Sequence, residues 1–233
     1  MAYKVYVDAG HGGNDPGASA NGLVEKTINL IQAIECAEIL KRHGILVNSS
    51  GLVDKGDSIT AMAKEANNWG ADLVVSIHNN AGGGDGFEVF YGHKDSKSKV
   101  LAKNIEAEIL KIGQNSRGLK TKVEDGEDYF GMIRMTNAPA VLCEGAFLDN
   151  KNDIKIIDTI TEQKAFGKAY AKGILKTLGV EYKEQTTATT APTSTTKTGL
   201  YRVQAGAYAK RENAENKKKE LKAKGIESII VKY

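Results

Sequence analysis

Apolar and polar positions switch between two periods along the first 180 residues. Val5-Tyr6-Val7, Ile45-Leu46-Val47, Leu73-Val74-Val75-Ser76-Ile77, Phe87-Glu88-Val89-Phe90-Tyr91 and Ala140-Val141-Leu142-Cys143 are short apolar or alternating runs of strand length. Between them the apolar spacing lengthens to that of a helix. Leu30, Ile34, Ala37 and Leu40 predict a helix over 26–43, stopped by His43-Gly44. Ile59, Met62, Ala63 and Ala66 predict a second, capped by Asp57 or Ser58 and ending near Trp69. Val100, Leu101, Ile105, Ile109 and Leu110 predict a third over 95–112, and Ile154, Ile156, Ile157 and Ile160 suggest a fourth. Residues 162–178 complete the series. The stretch 118–135 is predicted as a polar loop at 126–129 followed by a short strand, Gly131-Met132-Ile133-Arg134.

Alternating strands and helices imply an α/β domain around a twisted, mostly parallel sheet of about six strands with helices on both faces. The pattern breaks at 184–198, a Thr-rich stretch with too little apolar surface to order itself, which is expected to be a linker. Structure is expected again in 199–233: a strand at 200–208, a charged helix from Glu212 to Lys224 with Ala214 and Leu221 inward, and a strand at Ile229-Ile230-Val231. The expected organisation is therefore a main domain over 1–183, a linker over 184–198 and a small βαβ-like unit over 199–233.

Composition narrows the function. With 41% hydrophobic and 26% charged residues the chain can build an ordinary core. No run of about 18 apolar residues is present, so no membrane span is expected. The net charge of +3 is concentrated in 199–233, which holds nine Lys or Arg against four acidic residues. The main domain is thus slightly acidic, and nucleic-acid binding is not expected. Cys36 and Cys143 fall in helix and strand patterns and are expected as buried thiols rather than a disulfide. The chain starts Met1-Ala2-Tyr3-Lys4 and enters a strand with no signal-peptide core before it, so synthesis in the cytoplasm is expected.

The candidate chemistry lies at strand ends. His11 follows the first strand within Asp8-Ala9-Gly10-His11-Gly12-Gly13, His78 ends the strand from Leu73, Glu144 ends the strand from Ala140, and Glu25 opens a helix. Open α/β sheets place their sites beyond the carboxyl ends of strands. Two His and one Glu with an open fourth position is the donor set of a catalytic zinc, and a further carboxylate can act as general base. On the residues alone the plainer reading also stands: a His between glycines marks a turn, and a Glu at a helix start favours the dipole. Asp8 is a candidate partner for the second nitrogen of a ligating His. Asn80 either orients a ligand or opens the glycine-rich loop 81–86. Arg134 either binds a substrate carboxylate or is a surface charge. His43 is expected at a helix end, and His93 in a solvated loop.

Four segments occur in order: Asp8-Ala9-Gly10-His11-Gly12-Gly13, Gly22-Leu23-Val24-Glu25-Lys26, Ser76-Ile77-His78-Asn79-Asn80-Ala81 and Pro139 through Phe147. Together they resemble the Amidase_3 family of zinc-dependent N-acetylmuramoyl-L-alanine amidases, over about residues 1–180. The resemblance implies that His11, Glu25 and His78 ligate Zn2+, that Glu144 is the catalytic acid/base, and that the substrate is peptidoglycan. The chain departs from the family's usual residues at Ala9, Ala146 and Asp149. Tyr201 through Tyr208, followed by Glu212-Asn213-Ala214, resembles one repeat of a SPOR-type wall-binding domain, which implies glycan binding; one repeat of about 35 residues makes a marginal core, so the tail is expected to pair with a second copy in a homodimer or against another surface. The expected function is hydrolysis of the amide between N-acetylmuramic acid and L-alanine at the cell wall after release from the cytoplasm, by an endolysin or a sporulation autolysin. The alternatives are another zinc hydrolase of peptidoglycan, a peptidase or deacetylase, and an inactive wall-binding protein.

Overall fold

A computed structural model of the chain describes residues 2–49, 52–184 and 211–223. The elements in order are β1 (Lys4–Ala9), β2 (Ser19–Ala20), β3 (Leu23–Val24), α1 (Glu25–Arg42), β4 (Leu46–Asn48), α2 (Ile59–Trp69), β5 (Leu73–Asn80), β6 (Phe87–Tyr91), α3 (Ser96–Leu110), β7 (Ser116–Lys120), β8 (Val123–Glu124), β9 (Glu127–Asp128), α4 (Gly131–Arg134), β10 (Ala140–Phe147), α5 (Lys151–Ile154), α6 (Ile160–Thr177) and α7 (Arg211–Ala223). The chain divides into two units, Met1–Glu184 and Gln185–Tyr233. In the second unit the charged helix α7 is present, with Arg211 Nε 2.8 Å from Glu215 Oε1 one turn on. The strands expected at 200–208 and 229–231 lie outside the described residues, as does the linker beyond Glu184.

The first unit is built on a six-stranded sheet of order β4-β1-β5-β10-β6-β7. Pairing is parallel except between β10 and β6. Side chains alternate across it, because successive strand residues face opposite sides. Val5, Val7, Val75, Ile77, Val89, Val141 and Cys143 point to the larger core, where Ile28, Cys36 and Leu40 of α1, Leu101 and Ile105 of α3 and Phe166 and Tyr170 of α6 cover them. Tyr6, Val74, Ala140 and Leu142 point the other way, beneath Ala63 and Ala66 of α2 and Met132 and Ile133 of α4. Helices therefore cover both faces, as expected. Both cysteines are free and buried.

Three expectations need correction. Gly131 to Arg134 is a helical turn rather than a strand: the Ile133 and Arg134 N–H groups both donate to Phe130 O. Its neighbouring apolar residues Met132 and Ile133 are both buried, which suits a turn laid on the sheet and not an alternating strand. The helix expected from Ile154 stops there, because Thr159 and Glu162 form a capping box that starts α6 afresh. On α1, Ile34 is turned outward at 36% exposure, while Asn29 and Gln32 are fully buried. The helix presents a face whose polar residues the apolar stripe did not reveal.

Two strands carry one residue more than their partners. Glu144 and Phe147 of β10 pair with His78 and Asn80 of β5, and Ser116 and Leu119 of β7 stand against Phe87 and Val89 of β6. Such bulges bend the strand and re-aim the side chains that follow.

Candidate metal centre and its neighbours

His11 sits just past the end of β1 with φ of 65°, a left-handed conformation that costs a non-glycine residue on the order of 1 kcal/mol. The hairpin formed by Gly12 and Asp15 holds it there, each N–H bonding the other's carbonyl. His11 Nδ1 is 2.8 Å from Asp15 Oδ2, and the other Asp15 oxygen accepts the Gly17 N–H at 3.0 Å. The opposite ring nitrogen, Nε2, lies 3.2 Å from Glu25 Oε2.

Glu25 is the first residue of α1 and only 4% exposed. Its carboxylate accepts the Ala18 N–H at 2.8 Å, the Asn79 N–H at 3.1 Å and Asn29 Nδ2 at 3.2 Å. Its Oε1 is also 3.1 Å from His78 Nδ1. His11 and His78 meet edge to face with ring centroids 5.0 Å apart. One donor atom from each of His11, Glu25 and His78 lies within 4.8 Å of the others.

Two imidazole nitrogens aimed at one carboxylate need positive charge between them, since lone pairs facing a carboxylate repel. Protons supply it when no cation does. The hydrogen bond to Glu25, and after it the one to Asp15, pushes His11 up to about 9 against the effect of burial. Burial works to lower His78, but Glu25 and Glu144 outweigh it and its pKa is raised. Burial likewise works to raise Glu25, yet the bonds from His11 and His78 hold its carboxyl well below the usual range. A site that binds protons this firmly, through two nitrogens and an oxygen, fits a divalent cation of the zinc class.

Glu144 stands beside this cluster, since it pairs with His78 across β5 and β10. Its Oε2 is buried with no hydrogen-bond partner. Burial above all, with Glu25 and Glu88 adding to it, pushes its carboxyl up to about 7. Cys143 faces the opposite core, so it takes no part.

The remaining expected residues fall elsewhere. Asp8 is buried on the sheet face that carries His78, and accepts the Ser76 hydroxyl at 2.6 Å. The partner of His11 is Asp15, not Asp8. Asn80 Oδ1 accepts the Ala81 N–H at 2.8 Å and so opens the glycine-rich loop. Arg134 donates to the carbonyls of Asp128 and Tyr129 at 2.7 and 2.8 Å, which ties it to its own turn. His93 is not solvated: Nδ1 is 3.1 Å from Asp128 Oδ1 and the side chain is mostly covered. His43 ends α1 as expected, bonded to Ile39 O and to the Lys183 N–H.

Sequence reasoning missed the support around Glu25. Asn79 Nδ2 donates to Asn29 Oδ1 at 2.8 Å and Gln32 Oε1 at 3.2 Å, and Asn29 Nδ2 also donates to Gly10 O at 2.9 Å. Glu25, Asn29 and Gln32 are spaced by four and three residues, so they share one helix face. Three polar residues at helical spacing was the available signal.

Comparison with known proteins agrees with this geometry. The N-acetylmuramoyl-L-alanine amidase family model, Amidase_3, matches residues 5–176. A SPOR domain model matches residues 168–232. The chain is similar to a sporulation-specific N-acetylmuramoyl-L-alanine amidase of Bacillus subtilis, 32% identical over 232 residues that cover 98% of this chain and 84% of the relative. It is similar to an endolysin of Bacillus phage SPP1, 36% identical over 192 residues covering 78% and 69% of the two chains. Among solved structures it resembles Cwp6 from Clostridium difficile, with a TM-score of 0.75 and 36% identity over 76% of this chain and 30% of that longer one. With a family model spanning most of its length and the His11, Glu25 and His78 donors gathered at its strand ends, the chain belongs to the N-acetylmuramoyl-L-alanine amidase family.

Proposed function

We propose that the chain cleaves the amide between the lactyl group of N-acetylmuramic acid and the L-alanine of the peptidoglycan stem, with His11, Glu25 and His78 holding zinc and Glu144 moving the proton. The observation that carries this reading is the convergence of three donor atoms within 4.8 Å beside a buried, unpartnered Glu144 oxygen. Zinc bound there supplies Lewis acidity, which polarises the scissile carbonyl and acidifies water.

The protein's own groups do the rest. Asp15 fixes a proton on His11 Nδ1 and leaves Nε2 free to act as a donor atom. The Ala18 and Asn79 N–H groups, with Asn29 Nδ2, hold the Glu25 carboxylate in place. Glu144 takes a proton from the attacking water and returns it to the alanine nitrogen as the C–N bond breaks. A carboxyl raised to about 7 suits both halves of that task near neutrality.

The second unit supports a wall-binding role through its SPOR match. That match begins inside α6, whose residues Ala169, Tyr170 and Ile174 are packed in the main core. The residues left to the tail amount to about one repeat, too few for an independent core. Pairing of two tails would complete it, and a concentration-dependent dimer by sedimentation is the expected sign.

The test of the activity is a digest of purified peptidoglycan with the new amino termini identified. New L-Ala termini, lost on chelation and restored by zinc, are expected. Glu144→Gln should keep its zinc and lose turnover by about 10²- to 10⁴-fold. New termini at another residue, or near-normal turnover in the Gln variant, would refute the assignment.

A further inference from the structure

The sheet face that carries Glu144 continues into a charge cluster the proposed reaction does not use. Glu88 lies directly opposite Glu144 across the antiparallel β6–β10 pair. Both side chains therefore rise from the same face with Cβ atoms roughly 5 Å apart. Glu88 is 6% exposed, and its Oε1 takes Lys120 Nζ at 2.6 Å and the Arg117 Nε–H at close range. Burial works to raise the Glu88 carboxyl, but Lys120 and Arg117 outweigh it and hold it ionised.

Two cations on one carboxylate leave a positive charge over. Asp85 Oδ1 is 3.8 Å from Arg117 NH1, beyond hydrogen-bond length, and its side chain is 53% exposed, so solvent screens it. The Arg117 guanidinium lies over the Phe147 ring at 5.2 Å. Nε is occupied by Glu88 and one face of the guanidinium by Phe147, which fixes its plane. The side chain remains 38% exposed, and the long, solvent-exposed contact of Nη1 with Asp85 leaves it able to meet a ligand.

The fold builds this arrangement deliberately. Residues three apart in a regular strand face opposite sides of the sheet. The extra residue in β7, with Gly118 at φ of 88°, brings Arg117 and Lys120 onto one face, where both reach Glu88.

We propose that Arg117, assisted by Lys120, binds a carboxylate on the peptide portion of the substrate and so selects stem peptides that carry a free acid close to the bond cut. This rests on the amidase reading above. In the stem peptide the residue after L-Ala is a glutamate joined through its side-chain carboxyl, so its α-carboxyl is either free or amidated. From the scissile nitrogen to that carboxyl is roughly 6 Å when extended. Glu144 must reach that nitrogen, and the cations lie roughly 5–8 Å beyond Glu144 on the strand spacing. The reach matches. Neutral amide in place of carboxylate removes the charge that the cluster is built to meet.

The experiment measures kcat/KM of the zinc-loaded chain on two muramyl-peptide substrates that differ only in free acid or amide at the second residue. The parent should prefer the free acid by about 10- to 100-fold, the range for a charge-assisted hydrogen bond. Arg117→Gln should bring that ratio close to one, Lys120→Met should lower it by a smaller factor, and Arg117→Lys should restore part of it. Raising the salt concentration should shrink the preference of the parent. A parent that cuts both substrates equally overturns the proposal, as does an Arg117→Gln variant with the parent's ratio. If Arg117→Gln does not fold, the parent's ratio and Lys120→Met decide in the same way. Failure to cut either substrate at the lactyl amide instead refutes the amidase reading on which the proposal stands.

Discussion

Gly10 offers a direct test of whether the donor cluster is the working centre. It joins β1 to His11, its N–H donating to Ile77 O and its carbonyl accepting from Asn29. Its φ lies outside the positive range, so alanine can adopt the same backbone. A methyl group there would fall 2.1 Å from Cε1, 2.2 Å from Nε2 and 2.4 Å from Nδ1 of His78. Carbon contacts settle near 3.5 Å, so the ring must retreat by roughly 1 Å or more. That movement pulls Nδ1 away from Glu25, although metal-ligand distances tolerate only about 0.2 Å. A misplacement of about 1 Å costs on the order of 10²-fold in rate. Gly10→Ala should therefore lose zinc affinity and kcat/KM by about 100-fold or more. Overpacking should cost only about 1–3 kcal/mol of stability. The assay is zinc retained per chain against a chelating competitor, alongside turnover of purified peptidoglycan and a thermal melt. Gly44→Ala is the control: φ is 76° and nothing lies within 4 Å, so it perturbs backbone alone and should leave zinc in place. Full zinc and full rate in Gly10→Ala would sink the reasoning.

Three further outcomes are expected. Asp15→Asn removes the carboxylate that fixes the His11 proton and should weaken zinc by about 10- to 100-fold, measured by competition titration. In the metal-free chain His11 holds its proton more tightly folded than unfolded, so its stabilising contribution is complete below its ordinary 6.5 and lost as pH rises through about 9. Melting of the metal-free chain should fall across that window, and a His11→Gln variant should not show that component. Asn29→Leu strips Gly10 O and Asn79 Nδ2 of a buried partner and should cost about 1–3 kcal/mol for each group left unpaired, read from denaturant unfolding.

Much of this was legible in the residues because the signals were local. Apolar runs marked β1, β5 and β10 and pointed to His11, His78 and Glu144 after them, although β5 and β10 run on past His78 and Glu144 to Asn80 and Phe147. What escaped depended on contacts distant in sequence. Asp8 was the nearer carboxylate to His11 in the first strand's pattern, yet strand alternation turns it toward Ser76 while the Gly12–Asp15 hairpin brings Asp15 back to the ring. Arg134 looked like a free cation, but the helical turn that buries Met132 and Ile133 folds it onto its own carbonyls. On α1, an apolar stripe alone predicted Ile34 inward. The actual inward face holds Asn29, which donates to Glu25, and Gln32, which accepts from Asn79, because a buried carboxylate needs polar groups around it and cannot be packed with hydrocarbon.

The two bulges explain how a regular sheet becomes a site. Paired residue for residue without bulges, the same sequence would set Phe147 and Lys120 on the faces opposite to those they occupy. The bulge in β10 follows Glu144, so the catalytic candidate keeps its register with His78 while Phe147 is re-aimed to lie under Arg117. The bulge in β7 turns Lys120 to join Arg117 at Glu88. One insertion supplies the aromatic support and the other the second cation, and both serve the strand that lies between them, β6. Neither is visible as an apolar pattern, since a bulge changes register by one residue and leaves composition untouched. Removing Gly118 should leave a regular ladder in which Leu119 still stands against Val89 and Lys120 against Phe90, so both cations should keep to the Glu88 face. A retained carboxylate preference is the expected result, whereas Arg117→Gln should lose the preference while the core, which Arg117 does not enter, stays intact.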